Sequence, residues 1–143
     1  MNFDARLQST FQAIHAKPSP TEASAIIDVA RLAAAADKRS DVAETAVLIG
    51  VSHMICEMAG IQDLDLTHKI DSNRLLDIGE HLVANGAREL AFACAYLVVF
   101  QDLELTPEEK QLIDALPAAL VLDPDRAKQL GTEMETLVRS SRG

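Results

Sequence analysis

Residues 91–100 read AFACAYLVVF, ten consecutive apolar positions without a charge or an amide. A stretch apolar on every side cannot present one face to water, so protein must surround it. It reaches only about half of the ~20 residues needed to span a bilayer, which assigns it to the middle of a globular domain. Residue choice selects helix over strand. Ala (22) and Leu (18) far outnumber Val and Ile (18 together), and the chain holds one Tyr, four Phe and no Trp. Ala and Leu lead the helix-propensity ranking, whereas β-branched and aromatic residues favour strands. A length of 143 residues is that of one domain, with a core large enough to need neither metal nor disulfide. The predicted fold is all-α.

Charge narrows the partners. Thirteen Lys and Arg against 22 Asp and Glu leave a net charge of −9. Nucleic-acid affinity comes mainly from basic side chains on phosphates and from aromatic stacking, so no nucleic-acid partner is expected. The six glycines, at 50, 60, 79, 86, 131 and 143, are too dispersed for a phosphate-cradling loop or a nucleophile elbow. There is no HExxH, and no enzymatic activity or small-molecule substrate is inferred. The opening MNFDARLQST lacks a basic start followed by an apolar stretch, and no membrane helix is foreseen. Cys56 and Cys94 form no CxxC and read as small buried hydrophobes of a reducing compartment. The expected location is cytoplasmic.

Apolar periodicity predicts seven helices. Phe3, Leu7, Phe11 and Ile14 mark an N-terminal amphipathic helix within 1–16. Ser19, Pro20 and Glu22 form a capping box that opens a second helix, to about 36. A third spans about 41–59. Thr67 starts a fourth, closed by the C-cap pair Asn85-Gly86. The fifth, 87–100, is the central one. Thr106, Pro107 and Glu109 repeat the Ser19-Pro20-Glu22 pattern and open a sixth, which should stop near 116 because Pro117 disfavours continuation. Asp123 and Pro124 open a seventh, followed by a disordered tail at 139–143. Short loops make this one compact domain over 1–143.

Two of these helix–turn–helix units are alike at a spacing of 65 residues. Asp37 is followed seven residues later by Glu44, and Asp102 seven later by Glu109. Before the turns Ala30 matches Ala95 and Leu32 matches Leu97; after them Val47 and Leu48 match Leu112 and Ile113. An apolar helix leading to an Asp (Ala36-Asp37, then Gln101-Asp102), a short turn, then a helix with Glu at Asp+7, present twice, resembles the TerB-like tellurite-resistance family. The second copy, FACAYLVVFQDLELTPEEKQLIDAL at 92–116, carries the resemblance best, which extends over 21–137. It implies a seven-helix domain with two pseudo-symmetric repeats, two acidic turns that bind a metal ion, and a bacterial tellurite or stress-response role. Lys38 and Leu103 stand where that family usually has Gly, and Lys38 and Arg39 oppose a cation in the first turn.

The candidate metal ligands are therefore Asp37, Glu44, Asp102 and Glu109, supported by Asp41, Glu104 and Glu108. An all-carboxylate set suits a divalent cation of the Ca²⁺, Mg²⁺ or Mn²⁺ kind better than Zn²⁺. The alternative is purely local: Glu109 completes a cap with Thr106, and acidic residues at a helix start complement its dipole. His53 with Glu57, and Asp77 with His81, are i, i+4 pairs that could hold Zn²⁺ only if their helices face each other. A competing function is an interaction module without metal. There the apolar stripes of the first and last helices (Phe3, Leu7, Phe11, Ile14; Met134, Leu137, Val138) dock a protein partner or a second copy.

Overall fold

In the computed structural model, residues 3–14, 17–35, 42–62, 82, 84–100 and 106–142 are described. Among them there are six helices and no strand: α1 (Phe3–Ile14), α2 (Pro20–Ala34), α3 (Val42–Ala59), α4 (Asn85–Val99), α5 (Pro107–Ala119) and α6 (Pro124–Arg142). The predicted helix from Thr67 lies mostly outside the described residues; Leu82, near its end, is buried. None of the six helices is long and apolar enough to cross a membrane.

The all-round apolar stretch does take the centre. α4 packs against each of the other five helices, most extensively against α2. Ala87, Ala91, Ala93 and Ala95 on α4, with Ala23, Ala25, Ala30 and Ala33 on α2, are all buried. Small side chains along both helices allow close approach, and Leu90, Leu97, Ile26 and Ile27 fill the space beside them. Each such Leu or Ile contributes on the order of 1.5–3 kcal/mol by leaving water.

Local chemistry explains two helix starts. At α2 the Ser19 N–H donates to Glu22 Oε1 at 2.8 Å, and the Glu22 N–H donates to Ser19 Oγ at 3.1 Å. The capping box predicted there is formed, with Pro20 in the first turn. α6 begins at Pro124, where Asp123 Oδ1 accepts the Asp125 N–H at 3.0 Å.

Four expectations are corrected. Asn85-Gly86 opens α4 rather than closing the preceding element, with Ala84 as extended N-cap. α5 does not stop at 116: it runs through Pro117 to Ala119. Proline's φ is compatible with a helix, so its costs there are one amide donor and a steric kink. The turn beyond it is closed by Leu122 N–H donating to the Pro117 carbonyl at 2.7 Å. α6 continues to Arg142, through the stretch read as a disordered tail, since Ser140, Ser141 and Arg142 contain no helix breaker. Lastly, the stripes of the first and last helices are not free to dock. Leu7, Phe11, Met134, Leu137 and Val138 are all buried and Ile14 is half-buried, with α1 and α6 packed on each other and on α4; the side chain of Phe3 lies outside the described residues.

Candidate functional site

Of the predicted cation ligands, Glu109 is the one whose surroundings are defined most fully. It sits in the first turn of α5, where the Thr106 N–H donates to its Oε1 at 2.8 Å and its own N–H donates to Thr106 Oγ1 at 3.2 Å. This is the second predicted capping box, formed as at α2. The two differ in depth. Ser19 is exposed, whereas Glu109 is only 2% exposed, and its Oε2 is buried with no hydrogen-bond partner among the described residues. Buried carboxylate oxygens are nearly always satisfied, because a desolvated, unpaired one costs free energy. The cap thus accounts for one of the two oxygens and leaves the other unpartnered among the described residues.

Glu108, beside it on α5, is exposed. Asp37, Asp41, Asp102 and Glu104 lie outside the described residues, as does the side chain of Glu44 on α3. His53 and Glu57 are both exposed on α3, while Asp77 and His81 fall outside the described residues. Among the described residues no group of three or more His, Cys, Asp or Glu could together hold a metal ion.

Sequence reasoning missed a second feature, a groove of about 590 Å³ bounded by α5 and α6 and floored by α4. Helices joined by a turn this short normally pack as antiparallel neighbours. Here α5 and α6 both rest on α4 and scarcely touch each other. Phe92, Tyr96, Ile113 and Leu122 supply apolar walls, and Lys110, Asp114, Lys128 and Glu135 stand around them. The Tyr96 hydroxyl donates to Glu135 Oε2 at 2.7 Å. Burial, then the hydrogen bond and negative charge of Glu135, push the Tyr96 phenol above its ordinary value. A Cβ on Gly131 would come within 3.0 Å of the Tyr96 ring, so the ring occupies space this glycine leaves open. A lone Gly in an amphipathic helix was the available signal for this packing.

At the other end of α4, a part-buried polar cluster around Glu89 ties it to α6. Arg126 Nε donates to Glu89 Oε1 at 2.8 Å, and Asn85 Nδ2 donates to Glu89 Oε2 at 2.6 Å. Arg88 Nε donates to the Leu82 carbonyl at 2.7 Å. These partners commit Glu89 to holding helices together. Both cysteines are buried and neither is in a disulfide, and burial pushes the Cys94 thiol far up, which makes it a poor nucleophile. No protein-family model, no curated protein and no solved structure matches this chain.

Proposed function

We propose that this chain is a non-enzymatic helical domain similar to the TerB family, whose acidic turn before α5 binds a divalent cation weakly. The observation that carries the reading is the Oε2 of Glu109, buried at the start of a helix with no partner among the described residues while its sister oxygen serves the cap. Asp102 and Glu104, a few residues earlier in sequence, and Glu108 beside it are the carboxylates that would complete the ligand set. Oxygen-only donors select a hard cation, Ca²⁺, Mg²⁺ or Mn²⁺ before Zn²⁺, with water filling the remaining positions. The first turn, Asp37 with Glu44 and the supporting Asp41, is the weaker of the two because Lys38 and Arg39 adjoin it. The paired repeats, a seventh helix and the tellurite or stress-response role belong to the same reading and rest on the family resemblance.

The test is a thermal melt of chelator-treated protein titrated with each cation in turn. A ligand at ~100 times its Kd stabilises the native state by ~2.7 kcal/mol. For a domain of this size that is a rise in Tm of roughly 3–8 °C. The expected result is a saturable rise with one hard cation, lost in Asp102→Asn with Glu109→Gln. Gln still completes a capping box, so the variant removes charge while keeping the helix start. No rise with any ion at millimolar concentration would sink the reading.

A further inference from the structure

The groove over α4 is apolar, open to solvent, and lies beside an unusual residue. Val121, in the turn between α5 and α6, is 71% exposed and has φ +56°. A β-branched residue in the left-handed region is strained, and glycine or asparagine is the ordinary occupant of such a helix-terminating position. The turn itself is the usual one: Leu122 N–H to the Pro117 carbonyl at 2.7 Å and Val121 N–H to the Ala118 carbonyl at 3.3 Å. Stability therefore gives no reason for valine here. Exposed apolar surface held in a strained conformation points to recognition. The groove is lined by Leu122, the residue after Val121, and by Ala118 and Pro117, three and four residues before Val121.

Charge identifies the occupant. The chain carries −9 overall, so most of its surface repels a second copy. The groove is not one-signed: Lys110 and Asp114 on α5 face Lys128 and Glu135 on α6, two charges of each sign with both signs on each wall. Lys110, Asp114 and Lys128 make no ion pair among the described residues, while Glu135 is paired with Arg139 on its own helix. A patch bearing both signs in equal number can meet itself, whereas a patch of one sign could not. An apolar knob next to an apolar hole is likewise self-complementary about a twofold axis passing between them.

We propose that this groove is where two copies of the chain associate, Val121 of each inserting between α5 and α6 of the other about a twofold axis. The contact is small, so the dimer is weak, with a Kd on the order of 10–100 µM, in the range of transient interfaces. It goes beyond the cation reading and is independent of it.

Sedimentation velocity on the full chain, across concentrations spanning that Kd, tests the proposal. Wild type should shift from monomer towards dimer as concentration rises. Val121→Gly removes the knob and relieves the backbone, so it should fold at least as well and weaken association about tenfold or more, as loss of an interface anchor does. Ala118→Arg, an exposed helical position on the groove wall, should do the same by blocking the hole. Ile49→Lys, on the other large exposed apolar residue among the described residues, should leave association unchanged. The proposal is overturned if wild type stays monomeric throughout, if Val121→Gly and Ala118→Arg associate as wild type does, or if Ile49→Lys abolishes association.

Discussion

The Tyr96 hydroxyl on α4 donates a 2.7 Å hydrogen bond to the Glu135 carboxylate on α6. The bond joins two residues 39 apart in sequence, and the Glu135 carboxylate also pairs with Arg139 at 3.6 Å. Arg139 in turn lies 5.6 Å from the centre of the Phe100 ring, so the end of α4 is tied to the last turns of α6 through one chain of contacts.

Tyr96 should therefore be visible in the alkaline limb of stability. Its phenol is held above the ordinary value near 10 by burial first, then by Glu135. The unfolded chain loses this proton at lower pH than the folded one does. Stability from this group is thus fully present below about pH 10 and falls as pH rises through the higher folded value. Because Tyr96 is the chain's one tyrosine, phenolate absorbance in native and denatured protein should separate, the native transition coming later. Coincident transitions would contradict the packing. Tyr96→Phe should remove this alkaline loss and cost about 1 kcal/mol at neutral pH, the worth of one hydrogen bond.

Val121→Gly should stabilise the monomer. A left-handed conformation costs an L-residue roughly 1–2 kcal/mol, partly offset by the greater entropy glycine loses on folding. The expected gain is about 1 kcal/mol, read as a higher denaturant midpoint at unchanged slope in dilute solution. Val121→Asn should gain less, and a lower midpoint for the glycine variant would contradict the strained φ.

The Glu89–Arg126 pair predicts a strong asymmetry between single and double substitution. Glu89 is nearly buried, and Arg126 and Asn85 occupy its two oxygens. Arg126→Ala leaves that carboxylate without its charged partner and should cost about 2–3 kcal/mol. Replacing both residues with leucine should cost much less than the sum of the single changes, because no buried charge is left behind. A double-mutant cycle with no coupling would show that the pair does not bind the helices.

The two capping boxes share a sequence pattern but differ in surroundings. Thr106→Ala should cost about 1–2 kcal/mol and Ser19→Ala about 0.5–1 kcal/mol, within the known spread for N-caps. The ordering follows from exposure: water replaces the lost partner at Ser19, whereas Thr106 and the buried Glu109 are partly or wholly shielded from it. Chemical denaturation of the two variants side by side checks the order.

How much was legible from the chain depends on the range over which each interaction acts. The caps at Ser19 and Thr106 close hydrogen bonds between residues three apart, so sequence alone specifies both. The centrality of α4 was equally legible, since a helix apolar all round has no stable place but the interior. Local rules misplaced Asn85-Gly86 and the end of α5 at Pro117, where a helix's tertiary neighbours override the preference of one or two residues. An amphipathic stripe such as Leu7 and Phe11 looks the same whether it faces its own core or a partner. Only the arrangement of α1 and α6 on α4 decided for the core. The parting of α5 from α6, the exposed strained Val121 and the buried Oε2 of Glu109 have no local signature either. Each is the outcome of how helices distant in sequence compete for one central helix, and that competition is settled by packing in three dimensions.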